Sequence, residues 1–145
     1  AMNERERLGL LDALDRDYTG LVRAAYASFG RDSAQGATLA GEASALDPRM
    51  MKPWIRLALS ADLSADAADL NMPIVAVLAD RSWPRDEPWN LTARALGYDR
   101  VPRVDPVRLE NCGHFVMLDR PRDVARIIAR VAGGDSETVG AESPR

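Results

Sequence analysis

The sequence predicts an α/β protein in which a helical region is followed by two parallel strands with flanking helices. Three observations predict it. The first half of the chain carries apolar residues at helical spacing. A short apolar run then appears over 73–78 and a second strand candidate over 104–109, with a helical stretch between them. A strand–helix–strand–helix order implies a parallel layer, because the crossover helix carries the chain back to where the next strand can start in the same direction.

In the helical half, Leu8, Leu11 and Leu14 recur every three residues and Tyr18 follows at four, which predicts an amphipathic helix over 4–16. A second helix follows Thr19-Gly20, with Leu21, Val22, Ala25, Tyr26 and Phe29 on one stripe and Gly30 as its stop. A weaker third spans 35–46 through Leu39, Ala43 and Leu46. Asp47-Pro48 starts a fourth, since proline at the first helical position loses no needed hydrogen bond. Pro53 within its early turns leaves a later start open. Residues 62–71 read as a short polar helix or loop.

The second half changes character. Pro73-Ile74-Val75-Ala76-Val77-Leu78 is a β-branched apolar run that suits a strand covered on both faces. A loop over 80–87 leads to a helix at 87–96, ended by Gly97. Val104–Leu109 is the second strand, interrupted by Pro106. Pro121 opens a last helix whose Val124, Ile127, Ile128 and Val131 form one apolar stripe, closed by Gly133-Gly134. The expected organisation is a helical region over 1–71, an α/β segment over 72–134 and a disordered polar tail over 135–145. Two strands alone leave two unpaired edges, so a partner for the sheet is expected.

Composition narrows the function classes. At 145 residues the chain has room for one domain. Its net charge is −3, with the arginines spread along the chain, which argues against nucleic acid as the main partner. One cysteine and one histidine exclude a disulfide framework and make a transition-metal site improbable. There is no phosphate-binding glycine loop and no dinucleotide fingerprint, so no cofactor is expected. No apolar run approaches the roughly 18 residues of a membrane span. The polar start, Met2-Asn3-Glu4-Arg5, is unlike a signal peptide, and a cytoplasmic setting is the expectation.

The most specific stretch is Asn111-Cys112-Gly113-His114-Phe115-Val116-Met117-Leu118-Asp119-Arg120-Pro121. Together with Met72-Pro73 through Asp80 it resembles the end of the α/β-hydrolase fold. There a penultimate strand leads to the catalytic acid, and a last strand leads to a Gly-His loop and a Pro-initiated helix. The resemblance implies that the chain is the C-terminal portion of such a sheet, preceded by a cap-like helical region. It implies serine acyl transfer on an ester, thioester or similar carbonyl, with His114 as base and then acid and Asp80 orienting it. Asp86 is an alternative acid. At the family's usual acid position this chain has Ser82, beside Trp83-Pro84.

The family's Gly-x-Ser-x-Gly nucleophile motif is absent from the sequence. The isolated chain is therefore expected to be inactive unless a complementary hydrolase half supplies the serine. The alternative is a non-catalytic module, derived from a hydrolase, that acts as a homodimer or binds a small molecule or protein. Trp54, Trp83 and Phe115 are the candidate contacts for a small apolar acyl-type ligand. For Met50, Met51, Trp54 and Leu57, helical spacing favours plain packing. Gly113 is expected to permit a tight turn, Cys112 to be an inert thiol, and the charges between Arg81 and Glu87 to form a solvated loop.

Overall fold

The computed structural model describes residues 3–61 and 64–133. The chain is mixed α/β, with helices leading into a two-stranded parallel sheet. The expected disordered tail, and residues 62 and 63 of the expected polar helix or loop, lie outside the described residues. No helix among the described residues is long and apolar enough to cross a membrane.

Side-chain caps set the helix starts. α1 (Glu4–Arg16) opens on a capping box: Asn3 Oδ1 accepts the Glu6 N–H, and the Asn3 N–H donates back to the Glu6 carboxylate. Asp17 both ends α1 and caps α2 (Tyr18–Phe29), accepting from the Gly20 N–H. The second helix thus begins earlier than its apolar stripe indicates, because the aspartate fixes the start. Asp32 caps α3 (Ser33–Ser44), and Asp47 caps α4 (Pro48–Ser60). α4 does start at Pro48, and Pro53 is accommodated inside it. α5 (Ser64–Ala67) is a single turn.

The sheet pairs β1 (Ile74–Ala79) with β2 (Val104–Leu109) in parallel, Ile74 opposite Val104 and Ala79 opposite Leu109. The crossover carries α6 (Trp89–Leu96), which ends at Gly97 in the left-handed region (φ 82°), and a short 3-10 turn over Tyr98–Arg100. After β2 come the one-turn α7 (Val116–Asp119) and α8 (Pro121–Gly133).

Hydrogen-bond phase makes the two sheet edges unequal. Ile74 N–H donates to Arg103 O and Asp80 N–H to Leu109 O, so Ile74, Ala76 and Leu78 turn their backbone groups toward β2. In a parallel pair the partner residues that answer them are Asp105, Val107 and Leu109. Pro106 therefore faces the outer edge of β2, where its missing N–H breaks no bond of the ladder. On the opposite side Val75 and Val77 point their N–H and C=O groups outward, and among the described residues no backbone group pairs with their amides.

Two apolar clusters hold the halves. Leu14, Tyr18, Val22 and Ala43 form the helical one, with Met51 and Ile55 packed against it. Ala79, Leu109, Cys112 and Val116 form the α/β one, with Val77, Val107 and Val124 around it. The α2–α3 corner joins them. It is close-packed: a Cβ on Gly36 would fall 2.3 Å from the Ala27 carbonyl oxygen. Only part of the α8 stripe is covered. Val124 packs on the second cluster, whereas Ile128 and Val131 are more than half exposed.

Candidate functional site

Both candidate catalytic residues lie beyond the C-terminal ends of the paired strands, where loops of an open parallel sheet form ligand sites. Asp80 directly follows β1. Its Oδ2 accepts the Asn111 N–H at 3.0 Å, and its Oδ1 accepts the Arg81 N–H at 3.1 Å. The carboxylate at the end of one strand thus ties down the turn after the other.

That turn is made at Asn111, whose φ of 57° lies in the left-handed region that asparagine tolerates better than most residues. The role expected for Gly113 is corrected here: its φ is not positive, and it is needed for close approach instead. A Cβ at this position would lie 2.4 Å from Phe29 O and 2.6 Å from Arg31 N, both backbone atoms. The loop is pressed onto the end of α2, which leaves no room for a side chain.

His114 continues this contact. Its N–H donates to Phe29 O at 2.8 Å. Its ring stacks on the Phe29 ring, with centroids 4.5 Å apart and planes 25° apart, and meets Phe115 edge-on at 5.1 Å. The residue is exposed. Among the described residues no side chain hydrogen-bonds either ring nitrogen, and both Asp80 oxygens are engaged elsewhere. Histidine and acid share one end of the sheet without forming a dyad. Asp86 is exposed in the loop between them in sequence.

Phe115 is half-buried and lines an open groove of about 370 Å³ with Tyr26, Leu39, Ala43, Leu46, Met117 and Leu118. Glu42 brings the one carboxylate to that lining. Trp54 is 66% exposed and lines neither this groove nor the one between β2 and α8. Met50 and Leu57 are exposed with it, while Met51 and Ile55 pack inward. Trp83 belongs to a separate aromatic group. Its indole N–H donates to Glu87 O at 2.8 Å, Trp89 packs on it at 5.1 Å, and the Arg108 guanidinium lies over its ring at 5.4 Å. Of the three candidate ligand contacts, only Phe115 adjoins His114.

Cys112 is 4% exposed, and its thiol donates to Glu110 O at 3.3 Å. Burial pushes the thiol up from its ordinary value, and the nearby Asp80 adds to this. Such a thiol is a poor nucleophile. Among the described residues no three His, Cys, Asp or Glu side chains are grouped to hold a metal ion.

Two residues that matter to the loop are not evident from the sequence. Arg81, expected in a solvated loop, reaches back to α2 and donates to Ser28 O at 2.7 Å and Gly30 O at 3.0 Å. It satisfies carbonyls left free at the helix end. Asp119 has a side chain only 2% exposed. It accepts from Gly113 N at 2.8 Å, Gln35 Nε2 at 2.8 Å and Arg31 Nη1 at 3.1 Å. The sequence signal for it is slight: one aspartate after the apolar Phe115–Leu118 run, two residues before Pro121. Arg31 also pairs with Asp32, which holds its guanidinium more firmly protonated, and Asp119 adds to the effect.

No protein-family model matches the chain, and no curated protein matches it.

Proposed function

We propose that the chain is the C-terminal part of an α/β-hydrolase-type enzyme, acting on an ester, thioester or similar carbonyl by serine acyl transfer. The observation that carries this reading is the placement of an exposed imidazole and a carboxylate on the loops that leave two adjacent parallel strands at the same end. In the mechanism a serine from a complementary half attacks the carbonyl carbon. His114 takes the serine proton, then delivers it to the leaving group as the tetrahedral intermediate collapses. Asp80 orients the imidazolium once its oxygens exchange the Arg81 and Asn111 amides for the ring N–H. The groove beside Phe115 takes the apolar acyl part.

The unequal sheet edges support a missing half. Val75 and Val77 offer free ladder groups on the β1 side, so further strands would add there and not at Pro106. The test is reconstitution. A search upstream of Met2 for an in-frame Gly-x-Ser-x-Gly identifies the half to co-express. The expected result is hydrolysis of p-nitrophenyl butyrate by the mixture and by neither half alone, lost in His114→Ala. Equal turnover by the reconstituted wild type and His114→Ala removes His114 from the mechanism.

One observation favours a second reading, a non-catalytic homodimer or small-molecule binding module. Each Asp80 oxygen already holds a backbone amide, and the His114 ring lacks a carboxylate partner among the described residues. If the chain is a stable dimer that binds an apolar acid and gains no activity from any serine-bearing half, this reading replaces the first.

A further inference from the structure

We infer that Asp119 is the positioning residue for His114, and that it acts through the Gly113 amide. Donors from two separate parts of the chain converge on this one carboxylate. Gly113, in the histidine loop itself, gives its N–H to Oδ2. Arg31 and Gln35, at the start of the third helix, give their side-chain donors to Oδ1. Gln35 is itself fixed, since its Oε1 accepts the Arg31 N–H at 2.6 Å. The next amide after Gly113, that of His114, is held by Phe29 O. Two successive amides are therefore anchored, one to Asp119 and one to the end of the second helix. The absent Cβ of Gly113 lets both anchors form at once.

A carboxylate suits this position because it only accepts, with two oxygens that can take several donors. Asparagine has the same shape but brings an NH₂ group to a site where every neighbour already donates. Either Gly113 or the Arg31–Gln35 pair then faces a donor. Glutamate needs a further methylene in a site that is almost fully buried. The helical half thus sets the orientation of the histidine through one buried charge. The consequence for acyl transfer rests on the reading of His114 as a triad-type base; the positioning does not.

The experiment is NMR on the full chain, with wild type, Asp119→Asn and Arg31→Met compared. It reads the His114–Phe29 ring NOEs, the His114 ring proton shifts set by Phe29, and exchange of the Gly113 amide. Protection of the Leu78 and Leu109 amides, which face each other's strand in the ladder, reports the fold. In Asp119→Asn the sheet amides stay protected, the ring NOEs disappear, and Gly113 exchanges roughly tenfold faster, as loss of a charge-assisted hydrogen bond implies. Arg31→Met, at a half-exposed side chain, gives a smaller acceleration in the same direction.

A folded Asp119→Asn chain with unchanged NOEs and Gly113 exchange overturns the inference. Should that variant not fold, unchanged Gly113 exchange in Arg31→Met overturns it. In the reconstituted enzyme, Asp119→Asn lowers kcat with KM little changed. If wild type shows no activity after reconstitution while the NMR changes occur, the hydrolase reading fails and the positioning role stands.

Discussion

His114 is held twice by Phe29: its backbone N–H donates to the Phe29 carbonyl, and its imidazole stacks on the Phe29 ring. The backbone contact fixes where the loop lies, and the ring contact fixes where the imidazole points. Phe29→Leu leaves the first and removes the second. Loss of an aromatic pair costs about 0.5–1.5 kcal/mol beyond the buried area. The expected outcome is a loss of that order in urea unfolding, with His114 ring protons shifted toward unstacked positions. A variant that keeps the wild-type ring shifts contradicts the stacked arrangement.

Gly113→Ala tests the close approach. The added methyl meets the backbone of Phe29, Gly30 and Arg31, none of which can rotate aside as a side chain can. Overpacking of this kind costs about 1–3 kcal/mol. The loop is expected to lift from the second helix, which a loss of protection at the His114 amide reports. Gly97→Ala is the comparison: it strains a left-handed helix end but meets nothing within 4 Å, and it leaves the His114 amide protected.

Cys112 is expected to be silent toward a thiol reagent such as Ellman's reagent in the native chain, and to react once the chain unfolds in urea. Its burial and raised thiol both oppose thiolate formation. Rapid native labelling at neutral pH contradicts the burial of the α/β cluster.

Tyr18 carries a pH-dependent prediction. The phenol is buried, and its oxygen has no hydrogen-bond partner among the described residues. Burial raises it above its ordinary value, with smaller contributions from Tyr26 and Asp47. As alkali is added the unfolded chain releases this proton first, so the folded state falls behind. The associated stability is fully present below about pH 10 and is lost as the pH rises through the raised value. Tyr18→Phe is expected to be neutral at pH 7, or stabilising by up to about 1 kcal/mol, because it removes an unpaired buried hydroxyl. Its Tm falls less steeply in alkali than that of wild type. Parallel Tm curves for the two chains contradict this.

Helices and strands were legible in their periodicity. Of the caps only Asp47 was legible, and the second and third helices begin earlier than their apolar stripes, at starts fixed by Asp17 and Asp32. Asn3, Asp17, Asp32 and Asp47 each stand where a helix begins. The histidine loop was legible as a motif, but its mechanics were not. Gly113 reads as a turn residue in sequence, whereas the turn falls on Asn111 and the glycine serves a contact with a segment more than eighty residues away in the chain. Asp119 and Arg81 were missed for the same physical reason. Their partners, at Arg31, Gln35, Ser28 and Gly30, are set by tertiary packing that no local spacing records. α7 is a single turn, too short to show a period. Trp54 and Trp83 illustrate the converse: a large aromatic residue gives composition to a site only if the fold turns it there.

Pro106 removes the middle donor from one rim of the sheet and leaves the other rim complete. The two rims are therefore unequal as templates for a further strand. A strand pairing along Val75 and Val77 meets an unbroken row of donors, whereas one pairing along the Pro106 rim loses a ladder bond. The residue that reads in sequence as a flaw in the strand gives the sheet its polarity from rim to rim.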